Sequence, residues 1–245
     1  LTGIPSNPLG TSFTPGQSNA DGTAVSVLAA LAGDCNYLVV GFSNLNVSAQ
    51  NYQVLADILI DRGGSTNWTN FIDDLVCGML SGQGGNSGVS AWYHFPVWLP
   101  AGTSIGVQAR NPSTGVSAGR IVMYVFGEPS RPEMWWNGQG VESLGILSSI
   151  SQGTTVTPVS SGTFGSWTTI GSATKQYGAV QFVINGSDAA AIANQFYWQI
   201  GFSSAKLPGS PTMYRTNQTT EAGVWGGFGG PIWCSVSSGT TWQLR

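Results

Sequence analysis

The side chains able to carry chemistry are few and scattered. His94 is the single histidine, Cys35, Cys77 and Cys234 are the only cysteines, and 11 Asp+Glu stand against 8 Lys+Arg. A Ser–His–acid triad needs that one histidine beside a serine and a carboxylate. Trp92-Tyr93-His94-Phe95 reads as a strand and the chain has no Gly-x-Ser-x-Gly elbow, so His94 is expected to be structural, on a sheet face. Asp57 and Asp61 share strand parity with Leu55 and Leu59 and project to one face. Glycoside hydrolysis would need two carboxyls about 5–10 Å apart around a sugar. The internal repeat described below places Trp198 and Gly201 or Phe202 at those positions. The two acids are therefore expected to pair with Arg62, accept backbone N–H groups or face solvent, and Asp73-Asp74 to lie in a loop.

Metal and nucleotide chemistry fare no better. The cysteines lie far apart with no Cys-x-x-Cys and no nearby histidine, which argues against zinc. They read as buried free thiols, with a Cys35–Cys77 bridge as the alternative. No Asp-x-Asp-x-Asp-Gly calcium loop occurs. The glycine-rich stretch from Trp225 to Pro231 lacks the lysine of a phosphate loop. Asn46, Asn67, Asn185 and Asn217 head formal glycosylation triplets, which arise freely in a chain this rich in Asn, Ser and Thr. The expectation is no enzyme, no cofactor and no metal.

Composition bounds what remains. Of 245 residues only 8% are charged, against about 25% in ordinary soluble domains. A hydrophobic content of 41%, with 10 Trp, 10 Phe and 7 Tyr, is ample for a packed core and excludes disorder. A net charge of −3 argues against a nucleic-acid partner, which needs a basic stripe. The longest apolar run, Val25 to Gly33, is far shorter than the roughly 20 residues of a membrane-spanning helix, so no membrane partner is expected. The surface must be built from Ser, Thr, Asn, Gln and Gly, as tolerated in proteins packed into assemblies or working outside cells.

The elements that must position these residues repeat. Gly10-Thr11-Ser12-Phe13-Thr14-Pro15 returns as Gly153-Thr154-Thr155-Val156-Thr157-Pro158, and Tyr37–Phe42 returns as Tyr177–Phe182. Pro96-Val97-Trp98 returns as Pro231-Ile232-Trp233, and Gly102-Thr103-Ser104 as Gly239-Thr240-Thr241, all in order. Candidate strands are Leu38–Ser43, Val54–Asp61, Ala91–Trp98, Ser104–Ala109 and Arg120–Phe126 in the first copy. In the second they are Ala179–Ile184, Gln195–Phe202, Pro231–Val236 and Thr240–Leu244, separated by Gly, Asn, Ser and Pro clusters. Helical signals at Val25–Ala32 and Asp188–Asn194 are weak. The fold class expected is all-β, two tandem homologous antiparallel β-sandwich (jelly-roll-like) domains. Their bounds are an N-terminal arm 1–9, domain 1 at 10–129, a linker 130–152, and domain 2 at 153–245.

The first copy runs on through Gly119-Arg120-Ile121-Val122-Met123-Tyr124-Val125-Phe126, which reads as a central strand, whereas nothing after Trp242-Gln243-Leu244-Arg245 corresponds to it. Domain 2 is therefore expected to lack its last strand, supplied by a continuation past Arg245 or by another subunit. In the linker, Arg131-Pro132-Glu133-Met134-Trp135-Trp136 sets two adjacent tryptophans beside paired charges. Trp135 and Trp136 either pack the domains or anchor a neighbour, and Trp92 and Tyr93 are further interface candidates.

The duplicated Gly-Thr-[Ser/Thr]-x-Thr-Pro openings, the Pro-[Val/Ile]-Trp hairpins and the intervening Val141-Glu142-Ser143-Leu144-Gly145-Ile146 segment resemble virion structural proteins of tailed bacteriophages built from tandem β-sandwiches. The resemblance covers nearly the whole chain and its motifs are structural. It implies a non-enzymatic capsid decoration, head-appendage or tail-associated protein, located in the virion. The implied partners are the chain itself as a homo-oligomer, a trimer being one form, and other virion proteins. Two alternatives stand beside it: a carbohydrate- or receptor-binding module holding a host-surface glycan, and a double jelly-roll major capsid protein.

Overall fold

A computed structural model describes residues 10–43, 53–79, 91–111, 118–127, 141–145, 154–157, 159, 163–182, 184–186, 195–202, 205–206, 212–215, 223–225 and 232–245. Every regular element among them is a β-strand, so the chain is all-β. Among the described residues no helix is long and apolar enough to cross a membrane. The chain divides into two units. One is Leu1–Ser143 with Gln181–Asn185 and Val224–Pro231; the other is Leu144–Val180 with Gly186–Gly223 and Ile232–Arg245.

Unit 1 contains β1 (Thr11–Phe13), β2 (Val25–Leu28), β3 (Tyr37–Ser43), β4 (Gln53–Asp61), β5 (Thr69–Met79), β6 (Ala91–Phe95), β7 (Ser104–Arg110) and β8 (Gly119–Phe126). They form two four-stranded sheets, in the orders β1-β8-β3-β6 and β2-β7-β4-β5. Four antiparallel pairs are nested: β1 with β8, β2 with β7, β3 with β6 and β4 with β5. Such nesting is one long hairpin rolled so that successive pairs fall in opposite sheets, the eight-stranded jelly roll.

Period-two patterning explains the roll. In β3, Leu38, Val40 and Phe42 are fully buried and face the second sheet, as do Tyr93, Phe95, Ile121 and Met123 of the flanking strands. Ala56, Ile58, Ile60, Ile105 and Val107 answer from the second sheet. Each fully buried Leu, Ile, Val or Phe stabilises the roll by about 1.5–3 kcal/mol relative to exposure. Phe13, Phe42 and Tyr93 meet edge to face with centroids 6.1 and 6.3 Å apart. The Tyr93 hydroxyl donates to the Val76 carbonyl at 2.8 Å and so ties one sheet to the other. Val25–Leu28, a weak helical signal in the sequence, is a strand pairing with β7. Its two β-branched valines favour an extended backbone once a partner strand lies beside them.

The second half contains β9 (Thr168–Ser172), β10 (Tyr177–Val180), β11 (Ile184–Gly186), β12 (Gln195–Trp198), β13 (Ile200–Phe202), β14 (Ala205–Lys206), β15 (Thr212–Arg215), β16 (Gly223–Trp225), β17 (Ile232–Val236) and β18 (Thr241–Leu244). Its pairs are nested in the same way: β9 with β18, β10 with β17, β11 with β16, β12 with β15 and β13 with β14. The four-stranded sheet β14-β13-β18-β9 repeats the order of β5-β4-β7-β2. Gly102 and Gly239 both take φ +83 at the turn into β7 and β18, a left-handed conformation that costs glycine nothing.

Candidate functional site

Asp57 and Asp61 accept backbone N–H groups, one of the roles expected of them, and these partners explain the fold around them. β5 carries a bulge at Asp74, which has φ +60, and the β4–β5 register shifts between Ala56 and Ile58. Asp57 sits opposite, buried, and its Oδ1 accepts the displaced Asp74 N–H at 2.8 Å while Oδ2 accepts from Gln108 Nε2 at 3.2 Å. A side-chain acceptor thus replaces the ladder carbonyl that a bulge removes. Asp73 and Asp74 therefore lie within a strand rather than in a loop, and Asp74 forms an ion pair with Arg110. Burial raises the Asp74 carboxyl above the usual range, and Arg110 works against that shift.

Asp61 closes the β4–β5 turn. Its carboxylate accepts the N–H groups of Gly63 at 2.8 Å, Ser65 at 2.5 Å and Asn67 at 3.1 Å. The Gly63 bond leads in holding its carboxyl below the usual range. Both acids accept backbone N–H groups, and Asp57 accepts the Gln108 side-chain amide besides. Cys35 and Cys77 are free and buried, not bridged, and burial pushes both thiols up, that of Cys77 the further. Among the described residues no three His, Cys, Asp or Glu side chains come together to hold a metal ion.

What the fold does present is the outward face of the sheet β1-β8-β3-β6. Residues opposite in parity to the core line it: Tyr37, Val39 and Gly41 on β3, Trp92 and His94 on β6, and Val122, Tyr124 and Phe126 on β8. Trp92, Tyr124 and Phe126 are 37%, 38% and 46% exposed. Trp92 leans across β3 and covers Gly41: a Cβ built on that glycine would come within 2.5–2.7 Å of three atoms of the indole. Tyr124 leans in from the other flank, so that the two rings lie 6.1 Å apart and within 22° of parallel. Tyr37 extends the row, its ring 6.2 Å from both His94 and Phe126, and burial raises its phenol. Arg120, at one end, is the only charged side chain among the described residues of this face, and its guanidinium bonds the Gly10 carbonyl at 3.3 Å.

Among the described residues β6 is the edge of this sheet, and the Gln181 side chain of unit 1 lies against it. Gln181 Oε1 accepts from the His94 N–H at 3.2 Å and Gln181 Nε2 donates to the Trp92 carbonyl at 3.1 Å. An amide side chain offers one donor and one acceptor side as a backbone does, so Gln181 stands where a fifth strand would pair and blocks edge-to-edge addition. The backbone flanking Trp92 is thereby fixed from both sides.

Of the interface residues expected from sequence, Trp92 is on this face, whereas Tyr93 turns inward at 4% exposure with its hydroxyl bonded, and so presents nothing to a partner. Adjacent strand residues cannot share a face. Trp135 and Trp136 lie outside the described residues. Tyr124, Phe126 and Tyr37 were missed, although the alternation Val122, Tyr124, Phe126 within a recognised strand carried the signal.

Neither a protein-family model nor a curated protein sequence matches this chain. Among solved structures, the N-terminal CBM22-1-CBM22-2 tandem domain from Paenibacillus barcinonensis Xyn10C is similar at 12% identity. That match covers 94% of this chain and 77% of the other, with a TM-score of 0.30, a likeness too loose to set residues in correspondence.

Proposed function

We propose that the protein is a non-enzymatic structural component of a virus particle, of the decoration, appendage or tail-associated kind, that packs against neighbours through the outward aromatic face of unit 1. The observation supporting the packing role is that row of exposed rings, Trp92, Tyr124 and Phe126, on a sheet face whose described residues bear a single charge at one end. Covering such a face removes apolar area from water with almost no charge to desolvate. The phage assignment rests on the sequence resemblance and on the tandem jelly-roll plan. Trp92→Ala tests it: loss of one central tryptophan anchor, worth about 2 kcal/mol, weakens association roughly thirty-fold. Tyr93→Phe, by contrast, leaves association unchanged. Analytical ultracentrifugation and co-sedimentation with particles read both. A chain that stays monomeric at high concentration and ignores particles refutes the reading.

The near-parallel Trp92 and Tyr124 rings favour one second reading, a glycan laid on them, since flat aromatic surfaces pack against sugar C–H faces. A glycan array without a hit excludes it.

A further inference from the structure

The outward face of β1-β8-β3-β6 is complementary to a copy of itself. Strands β1, β3, β6 and β8 contain no carboxylate, and their one permanent charge, Arg120, sits at one end of β8. Phe126, more exposed than Trp92 or Tyr124, sits at the other end of the same strand. A two-fold axis through the middle of the face, near Val39 and Gly41, sets each Arg120 against the Phe126 end of the opposite copy, guanidinium over ring.

Size decides how firm such a pair is. β3 and β8 run seven and eight residues. At about 3.3 Å per residue and about 4.8 Å between strands, four strands offer on the order of 400 Å². Two copies face to face bury roughly 800 Å², below the roughly 1,200 Å² of a firm interface. The pairing is weak and reversible, and a small perturbation controls it.

His94 stands inside this face. It alternates with Trp92 on β6, its ring lies 6.2 Å from that of Tyr37 on β3, and Val39 separates it from Tyr124 on β8. On the edge side the Gln181 amide holds its backbone N–H. The groups around it are thus two phenols and an amide, with Arg120 at the far end of β8 and no acid among the described residues of the face. A second copy of the same face brings the same set. An imidazolium covered there finds no carboxylate, and a covered, unpaired charge is costly.

We propose, resting on the packing role above, that this face pairs with the same face of a second copy and that protonation of His94 drives the pair apart. Imidazoles ordinarily take up their proton near pH 6.5. Excluding that proton weakens pairing about tenfold per copy at pH 5.5, and so up to about a hundredfold for two.

Sedimentation equilibrium of the 245-residue chain at pH 7.5 and 5.5, with circular dichroism to verify the fold at both, reads the pairing. The dissociation constant is expected to rise at least tenfold at the lower pH. His94→Gln and His94→Phe, two uncharged replacements of different size, should each pair equally at both. Wild-type pairing that is equal at the two pH values, or that strengthens in acid, overturns the proposal. So does acid sensitivity that persists in both variants, or pairing untouched by Trp92→Ala. A chain that stays monomeric at pH 7.5 yet sediments with particles overturns it while leaving the packing role standing, whereas a monomer that ignores particles removes both.

Discussion

The contact between Trp92 and Gly41 offers a sharp way to damage the aromatic face while sparing the roll beneath it. In Gly41→Ala the new methyl would meet three indole atoms at 2.5–2.7 Å, about 1 Å inside ordinary contact. The backbone of β3 is held on both sides by β6 and β8, so the ring, being the exposed partner, must rise. At 37% exposure it covers roughly 150 Å², worth about 4 kcal/mol at 25 cal/mol per Å² if wholly lost. Rising by about 1 Å forfeits a quarter to a half of the contact, so the expected loss is about 1–2 kcal/mol, or roughly 2–8 °C in Tm. The 19F spectrum of 5-fluorotryptophan-labelled protein, with the Trp92 line assigned by Trp92→Phe, should show that one resonance moving toward the exposed range. Association should fall with it. Unchanged Tm and 19F shift would refute the close approach; a loss well above 4 kcal/mol would mean that the ring is locked down and not a compliant surface group.

Three further outcomes follow from the site geometry. Asp57→Ala strands the Asp74 N–H in a buried bulge and should cost about 2–4 kcal/mol in urea unfolding, whereas Asp57→Asn, which keeps one acceptor, should cost less. Native protein at pH 8 should leave Cys35 and Cys77 unlabelled by iodoacetamide, and both should react in guanidinium, as mapped by mass spectrometry. Asp61, whose carboxyl is held below its ordinary value in the fold, contributes stability that is complete above the unfolded carboxylate range near pH 4 and disappears as pH falls through its lower folded value. Asp61→Asn should accordingly flatten the acid limb of a Tm-against-pH curve while leaving its neutral-pH slope alone.

The strands that sequence reading locates are those whose inward residues are uniformly apolar. β3, β4, β7 and β8 fall within a residue or two of expectation because one sheet side is dry and the period of two is unbroken. β6 ends at Phe95, ahead of Pro96, which has no N–H to donate. β5 escapes notice because the bulge at Asp74 shifts its parity and its outward face is polar. The expected strand Gln195–Phe202 is divided at Gln199, whose backbone pairs instead with Arg245 in both directions, at 2.9 and 3.1 Å. Gly41 and Gln181 carry no local signal at all. Their roles, giving room to an indole and capping an edge, exist only once β3, β6 and a segment 87 residues from His94 are side by side.

The nesting of strands also dictates an order of assembly. β4 and β5 are joined by a short turn, but Thr11 meets Ile121 only across more than a hundred intervening residues. Contacts of such range raise the contact order into the regime of millisecond-to-second folding. They also cannot form on a ribosome until β8 has left the exit tunnel. Until then the inward side of β3, with Leu38, Val40 and Phe42, has no cover from that flank. A nascent chain halted before residue 119 is thus the species most exposed to clumping, and the one for which a chaperone would matter most.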